Sequence, residues 1–355
     1  MISVQILDPV KDSRWDRFVE GNPNGWICHL SSWQRVLENS FEHIKGYCLA
    51  LVDSENNLIQ AGLPIFHVKS WLLGNRLVAA PFATLFDPLA ANDNHMKLLL
   101  GRSIQLARDL KSSYVEIRTL HTGPIFKGSG LEASLVFRHH YLDLNRSLDD
   151  VWKGFHRQSI RHKISKALKN NINVRVAESE DDLKKFYRLH LIARKRLALP
   201  PQPFKFFNSL WQNFYASGRL FLILASKNNT PMSGLICFRF KDRVSAEYLA
   251  TDNQFLNLNP NHLLYWEAIQ MAHGNGFSIF DLGRTSSFNT SLMAFKGKWG
   301  ANVIDLPTFY YPPEVSKRMD RNEVSLKYKA LKMICRNMPD SLQQVLGSFV
   351  YKHLG

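Results

Sequence analysis

The segment from Asn259 to Gly300 restricts the fold of this chain most, because its pattern changes from helix to strand and back to helix within a short stretch. Three residues favour a helix start at its beginning: Asn259, Pro260 and Asn261. Apolar positions at helical spacing follow, and Gly274 and Gly276 predict where that helix ends. Helices and strands that alternate in this way are typical of a mixed α/β fold.

A short apolar strand, 277–280, comes next, and a predicted turn carrying Asp281, Gly283 and Arg284 follows it directly. Open α/β sheets bind ligands at the carboxyl ends of their strands, so this turn predicts a binding site. The Arg284 guanidinium suits a carboxylate or a phosphate, and the Asp281 carboxylate suits an amine or its proton. The alternative is structural: Asp281 pairs with Arg284 or caps the next helix.

Both halves of the chain predict the same kind of element order. In the second half, elements are predicted at 172–177, 179–196, 203–217, 219–226, 232–240, 244–251, from 261, and at 277–281, 289–297 and 302–309. In the first half, they are predicted at 3–6, 12–20, 31–40, 46–52, 58–68, 76–79, 92–110, 114–117 and 135–144. We therefore expect an α/β (α+β) fold with two tandem domains, 1–145 and 146–310, each with a mixed, mostly antiparallel sheet. A basic helical tail, 311–355, follows them.

The net charge of +15 suits partners that carry phosphate: nucleic acid, anionic lipid or a phosphate-bearing substrate. No helix-turn-helix, RNA-binding or zinc-finger pattern is recognised, so dedicated DNA binding is not expected. The thirteen histidines and four scattered cysteines show no metal-ligand spacing, and no metal site is predicted. Neither a signal peptide nor a membrane-spanning run is recognised, which predicts a cytoplasmic protein.

A basic helix is predicted at 149–170, with Ser147 as its N-cap. Lys153, Arg157 and Arg161 are spaced four apart and would form one stripe on that helix. Such a stripe could hold the phosphates of a nucleotide diphosphate, a lipid-linked pyrophosphate or a carrier. It could equally be a solvated helix face, and the sequence leaves both interpretations open.

These features together resemble the second domain of the FemAB-like branch of the GNAT acyltransferase superfamily. The resemblance rests on Pro260 and Asn261, the run Phe280 to Ser286, Phe295 with Lys296, and Trp299 with Gly300. It extends over nearly the whole chain, which is similar to members associated with exosortase and polysaccharide clusters. It implies two tandem GNAT-like domains and an N-acyltransferase activity.

For the site, the resemblance implies that Lys296 stabilises the anionic tetrahedral intermediate of acyl transfer, with a surface lysine as the alternative. GNAT enzymes typically take a base from the strand equivalent to 244–251. Glu247 and Tyr248 should face opposite sides of that strand, and Glu247 is the candidate base. Asp281 is the other catalytic candidate. The candidate substrate-binding residues are Arg284, Arg161, Arg157, Tyr248 and Asn261.

Two loops depart from the family pattern. Loop 255–261 lacks the glycines that hold the pyrophosphate of coenzyme A at a helix N-terminus, which favours aminoacyl-tRNA over acyl-CoA as the acyl donor. No tightly bound cofactor is expected. Segment 81–88 lacks the glycines that line the acceptor cleft in family members, which leaves the acceptor open.

We therefore expect transfer of an acyl or aminoacyl group to an amine of a cell-envelope or exopolysaccharide precursor, with a phosphate-bearing precursor or an acyl carrier as partner. Two alternatives stay open. One is a peptidoglycan aminoacyl transferase using aminoacyl-tRNA, with tRNA as a partner. The other is a non-catalytic protein that binds a glycan or lipid precursor.

The tail has two interpretations. The resemblance implies that it packs back on the first domain, whereas its charge suits peripheral contact with an anionic membrane at the inner face. Its basic residues are Lys317, Arg318, Arg321, Lys327, Lys329, Lys332, Arg336 and Lys352.

Overall fold

The computed structural model describes residues 2–126, 128–322, 333–335 and 339–354. The chain forms two compact units. The first comprises Met1–Phe137, Asp305–Ser325 and Phe349–Gly355, and the second comprises Arg138–Ile304 and Leu326–Ser348. The boundaries therefore differ from the predicted 145/146 and 310/311, and the predicted tail is divided between the units. Among the described helices, none is both long and apolar enough to cross a bilayer.

The strands are β1 (Ile2–Leu7), β2 (Ile44–Asp53), β3 (Leu58–Val68), β4 (Arg76–Val78), β5 (Val115–Arg118), β6 (Glu132–Ser134), β7 (Phe137–Asp143), β8 (Asn173–Val176), β9 (Leu220–Lys227), β10 (Thr230–Phe240), β11 (Arg243–Thr251), β12 (Ile279–Ser286), β13 (Asn302–Asp305) and β14 (Thr308–Tyr311). The α-helices are α1 (Ser13–Gly21), α2 (Ser31–Ser40), α3 (Asp93–Asp109), α4 (Leu148–Gly154), α5 (His162–Lys169), α6 (Glu180–Arg196), α7 (Phe204–Phe214), α8 (Pro260–Gly274), α9 (Thr290–Gly297), α10 (Glu314–Asn322) and α11 (Asp340–Tyr351). The predicted α/β class with two mixed sheets is confirmed.

The first sheet has the strand order β1-β2-β3-β4-β5-β14-β6. It is mostly antiparallel, but β4 and β5 run parallel, with Leu77 opposite Val115. Strand β14 comes from the C-terminal part of the chain and lies between β5 and β6, where Phe309 pairs with Ile117 on one side and Ala133 on the other. The sequence did not predict this insertion, since only the strand pairing reveals it.

The prediction that residues 135–144 close the first sheet is wrong. Strand β7 belongs instead to the second sheet, whose order is β13-β7-β12-β11-β10-β9-β8. The predicted strand 302–309 is likewise divided, because β13 joins the second sheet and β14 the first. Local patterns identify strands but not their long-range partners, so both errors concern pairing.

The second sheet combines antiparallel strands β8 to β11 with a parallel β11–β12 pair. Its core includes Ile164 of α5, Leu264 of α8, Phe280 of β12 and Trp299, each at most 1% exposed. Burial of such large apolar side chains supplies most of the stabilisation that a sheet covered by helices requires. This core fixes β12 and the segment after it, which carry the predicted site.

The predicted continuous helix 149–170 is interrupted. Its N-cap is confirmed, because the Ser147 hydroxyl accepts a hydrogen bond from the Asp150 amide at 3.1 Å. However, α4 ends at Gly154, a π-helical turn spans Arg157–Arg161, and α5 follows. The His156 amide bonds the Lys298 carbonyl oxygen at 2.8 Å instead of continuing a helix. Lys153 and Arg157 therefore lie on different helical segments, and the prediction of a single cationic stripe is wrong.

The described C-terminal residues are divided between the two units, and each part has contacts within its own unit. In the second unit, the Gln343 side chain donates to the Leu191 carbonyl oxygen at 3.0 Å. In the first, the Arg76 guanidinium donates to the His353 carbonyl oxygen at 2.8 Å. The predicted tail cations Lys327, Lys329, Lys332 and Arg336, and the Arg321 side chain, lie outside the described residues.

Candidate functional site

The predicted turn at Asp281, Gly283 and Arg284 lies within strand β12, which continues to Ser286. The prediction of a turn is wrong because Gly283 adopts φ +76° without ending the strand. That left-handed conformation favours glycine, since other residues lack the same freedom there. Gly283 does have an unusual backbone conformation, but the chain does not reverse direction there.

Asp281 has no exposed surface, and its carboxylate has three partners. It accepts hydrogen bonds from His139 Nε2 at 2.8 Å, Arg243 Nη1 at 3.1 Å and the Gly283 amide at 2.6 Å. Burial alone would raise the pKa of Asp281, but the charges of His139 and Arg243 and these hydrogen bonds lower it to about 2. The carboxylate is thus held ionised, with partners other than the predicted Arg284.

Lys296 is 6% exposed, so the alternative of a surface lysine is wrong. Helix α9 begins after Asn289, whose side chain accepts from the Leu292 amide, and it places Lys296 near its end. The Lys296 ammonium donates to the carbonyl oxygens of Gly283 at 2.9 Å and Arg284 at 3.1 Å. Burial lowers the pKa of Lys296 to about 8, against the opposing charges of Asp281 and Glu247.

Glu247 and Tyr248 are adjacent on β11 but have different contacts. The Tyr248 ring packs against Phe206 and Phe207 of α7. Glu247 is half-buried, accepts a hydrogen bond from the Ser245 hydroxyl, and raises the pKa of Lys296 through its charge. Tyr248 pairs with Ile236 of β10 and Ala246 with Cys237, so Glu247 is the extra residue of a bulge in β11 and is left out of the regular pairing. The structure therefore brings Glu247, but not Tyr248, into the electrostatic environment of Lys296.

Asn261 joins three elements of the second unit. Its side-chain oxygen accepts from the Ser233 hydroxyl at 3.2 Å and from the Thr251 hydroxyl. Ser233 and Thr251 in turn lie 2.7 Å apart through their hydroxyl oxygens. These contacts tie the start of α8 to β10 and β11, and they occupy the side-chain oxygen of Asn261 within the fold.

The three predicted arginines differ in exposure. Arg157 is exposed, whereas Arg161 and Arg284 are half-buried. The Nε atom of Arg161 is buried without a hydrogen-bond partner. Arg284 follows Gly283 directly and contributes its carbonyl oxygen to Lys296.

Sequence reasoning missed the histidines of β7. His139 bonds Asp281, and His140 is fully buried. Burial lowers the pKa of His140 to about 4, with the charge of Lys296 acting in the same direction. The sequence carries no signal for this placement, since it depends on β7 lying beside β12. In the described residues, no group of three His, Cys, Asp or Glu side chains is arranged to hold a metal ion.

The loop before α8 offers few backbone donors. Residues Asn253–Leu258 form a 3-10 helix, in which the amides of Gln254 and Phe255 bond to Asp252. The Asn259 amide bonds the Leu256 carbonyl oxygen, and Pro260 has no amide hydrogen. A pyrophosphate that depends on backbone amides would find these positions already occupied.

A groove of about 540 Å³ lies elsewhere in the second unit. It is lined by Arg188, Leu191, Ile192, Lys195, Arg196, Asn253 and Gln343. Three cations and two apolar residues of α6 thus line the groove, which shares no residue with the predicted catalytic set.

Comparison with known proteins finds a family match within the second unit. Residues 154–296 match the family model of the acetyltransferase (GNAT) domain. The chain is 23% identical over 342 residues to the UDP-N-acetylmuramoylpentapeptide-lysine N(6)-alanyltransferase of Weissella viridescens, covering 89% of this chain and 96% of that protein.

Two solved structures share the fold. The crystal structure of FemX superposes with a TM-score of 0.71 at 15% identity, over 91% of this chain and 99% of that chain. A tandem GNAT protein from the clavulanic acid biosynthesis pathway superposes with a TM-score of 0.55 at 11% identity, over 87% of this chain and 98% of that chain. Two tandem GNAT-like folds and an acyltransferase domain follow from these matches. The chain thus contains a GNAT-type acyltransferase domain and, over most of its length, is similar to proteins of the FemAB-like branch.

Proposed function

We propose that this acyltransferase moves an aminoacyl group from aminoacyl-tRNA to an amine of a phosphate-bearing cell-envelope precursor. The observation that carries the proposal is the buried Lys296 ammonium, held by two β12 carbonyl oxygens with Asp281 and Glu247 close enough to influence its pKa. The alanyltransferase relative, which matches over most of both chains, favours a peptide linked to a uridine nucleotide as acceptor. This acceptor is narrower than the cell-envelope or exopolysaccharide precursor expected from the sequence, and the acetyltransferase-domain match favours an enzyme over a non-catalytic binding protein.

In the proposed step, the acceptor amine attacks the ester carbonyl of the aminoacyl group. A C–N bond forms, the C–O bond to the tRNA ribose breaks, and the amine proton passes to the departing ribose oxygen. Lys296 stabilises the oxyanion of the tetrahedral intermediate. Glu247 is the proposed base that carries the proton, because it is half-buried and its charge acts on the pKa of Lys296.

Asp281 has a different proposed role. A fully buried carboxylate with a pKa of about 2 is a poor proton acceptor near neutral pH. Its bond to the Gly283 amide instead fixes the backbone whose carbonyl oxygens hold Lys296. We therefore propose Asp281 as a positioning residue.

The proposed anion-binding residues are Arg284, Arg161 and Arg157, which would contact the phosphates of the acceptor. Tyr248 and Asn261, predicted as substrate-binding residues, instead make packing and hydrogen-bond contacts within the second unit. We propose no direct substrate contact for these two.

Two observations support aminoacyl-tRNA as the donor. The amides of Gln254, Phe255 and Asn259 before α8 are bonded within the loop, which disfavours coenzyme A held in the usual GNAT manner. The cationic groove of α6 suits the phosphates of a nucleic acid backbone. We propose that the reaction takes place in the cytoplasm, where both proposed substrates are available.

The test is a donor comparison by mass spectrometry. The purified chain is incubated with UDP-N-acetylmuramoylpentapeptide and either a mixture of aminoacyl-tRNAs or acetyl-CoA. We expect the peptide to gain one amino-acid residue with the tRNA mixture and nothing with acetyl-CoA. Acetylation alone would contradict the donor, and aminoacylation only of a different amine acceptor would contradict the proposed precursor.

A further inference from the structure

The turn between β3 and β4 presents three consecutive apolar side chains to solvent. Trp71 is 80% exposed, Leu72 56% and Leu73 52%. Runs of exposed apolar residues are avoided in soluble proteins unless they serve a function. All eight tryptophans lie in the described part of the chain, and Trp71 alone among them is exposed.

This turn is built to hold its apolar side chains outward. The Ser70 hydroxyl accepts from the Leu73 amide at 2.9 Å, and the Gly74 amide bonds the Ser70 carbonyl oxygen at 2.8 Å. Gly74 adopts φ +80°, which closes the turn. The exposed apolar side chains therefore lie on an ordered, hydrogen-bonded turn.

The C-terminal residues of the same unit brace the turn and enlarge the apolar surface. His353 Nδ1 lies 3.0 Å from the Ser70 hydroxyl, and the Trp71 ring stands edge-on to the His353 ring at 5.2 Å. On the other side, Phe349 packs against His353 at 5.3 Å while remaining 51% exposed. We call Trp71, Leu72, Leu73 and Phe349 the apolar tip.

The charged residues that flank the apolar tip along the chain are cationic. Lys69 and Lys352 are exposed and flank it along the chain. The segments 67–77 and 349–355 contain no aspartate or glutamate. Lysines beside inserted apolar side chains are drawn to anionic headgroups, and tryptophan prefers the membrane–water interface.

We propose that the apolar tip inserts into the interface of an anionic lipid bilayer, with Lys69 and Lys352 on the headgroups. A stable protein–protein interface takes about 20–30 residues from each partner, far more than these four apolar side chains provide. A bilayer, in contrast, accommodates a small projecting tip of this kind. The inference stands independently of the proposed acyl transfer.

Vesicle sedimentation tests the proposal with the full chain. Wild type should sediment with phosphatidylcholine vesicles that contain phosphatidylglycerol. The Trp71→Ser/Leu72→Ser/Leu73→Ser variant should lose about tenfold or more in partitioning. Lys69→Gln and Lys352→Gln should each cost about fivefold on the anionic vesicles and nothing on phosphatidylcholine alone.

A matched control removes equally exposed leucines of the same unit: Leu58→Ser/Leu98→Ser/Leu135→Ser. This variant should bind vesicles like wild type. Tryptophan emission adds a second readout: it should shift to the blue when wild type meets anionic vesicles. Trp71→Phe should still sediment but lose the shift, because the other seven tryptophans are not exposed.

Equal sedimentation of the triple tip variant and wild type, or an unmoved emission spectrum, would overturn the proposal. So would failure of wild type to bind vesicles. If sedimentation velocity instead showed a wild-type dimer that the tip variant abolishes, with neither protein binding vesicles, the tip would be a self-association surface and the membrane assignment would be wrong.

Discussion

His139 Nε2 donates a hydrogen bond to Asp281 Oδ2 at 2.8 Å, between the neighbouring strands β7 and β12. Arg243 Nη1 reaches the same carboxylate oxygen at 3.1 Å. His139 and Asp281 are at most 1% exposed, and Arg243 is 13% exposed in its side chain. Water therefore screens this cluster little, and each partner depends on the others for its charge balance.

Removing the Asp281 carboxylate should destabilise the protein strongly. Asp281→Asn removes the ionised carboxylate that Arg243 Nη1 and His139 Nε2 bond in a buried setting, which costs about 3–5 kcal/mol. Urea denaturation at neutral pH measures the change. The control is Asp181→Asn, whose carboxylate is 73% exposed, and it should change stability by less than about 0.5 kcal/mol. Similar losses of unfolding free energy in both variants would show that the buried Asp281 carboxylate stabilises the protein no more than an exposed one.

His262 should make the protein sensitive to acid. It stacks on Trp299, and both of its ring nitrogens are buried without hydrogen-bond partners. Burial lowers the pKa of His262 to about 4, from an ordinary value of 6.5. Between these values the unfolded chain binds a proton that the folded chain does not, so stability falls as pH decreases, by up to about 1.4 kcal/mol per pH unit.

His262→Phe should therefore flatten the stability curve between pH 6.5 and 4. It keeps a planar ring against Trp299 and removes two polar atoms that lack partners. Chemical denaturation at a series of pH values is the measurement. The exposed His121→Phe substitution is the control and should leave the curve unchanged. An unaltered slope in His262→Phe would mean that this histidine is not kept neutral by burial.

The cationic groove should contribute to donor binding. Arg188→Gln/Arg196→Gln removes two charges from it without touching the Lys296 site. If both arginines contact phosphates, the slope of log affinity for aminoacyl-tRNA against log salt should decrease in magnitude by about 2. Filter binding over a salt series measures this, with the exposed pair Arg17→Gln/Arg35→Gln as control. Equal slopes in both double variants would contradict a role for the groove in binding aminoacyl-tRNA.

The pH dependence of turnover should follow the protonation state of Lys296. Its pKa is lowered to about 8, so the ammonium is present below that pH and lost above it. Turnover of bound substrate should therefore decline as pH rises through about 8. Lys296→Arg keeps the positive charge to much higher pH, and any remaining activity should show no such decline. If turnover of Lys296→Arg still declines as pH rises through about 8, the decline is caused by the titration of another group.

The sequence carries the local part of the candidate site but not the contacts between distant segments. Lys296 and Asp281 were found because they lie in one segment, 277–300, whose pattern is local. His139 was missed because β7 precedes the site by more than a hundred residues and was assigned to the first sheet. The prediction of a single basic stripe is wrong for a related reason. The His156 amide bonds the carbonyl oxygen of Lys298, which is distant in sequence, and the helix is interrupted at this contact.

The most direct test of the account is single-turnover aminoacyl transfer by Lys296→Met, with Lys298→Met as the matched control. Lys298 is an exposed lysine two residues away, so its loss should change nothing. If Lys296 stabilises the tetrahedral oxyanion, Lys296→Met should slow transfer of bound substrate about a hundredfold with little change in substrate affinity. Weaker binding with a normal rate from bound substrate would make Lys296 a substrate anchor. A normal rate and normal affinity in Lys296→Met would contradict the account.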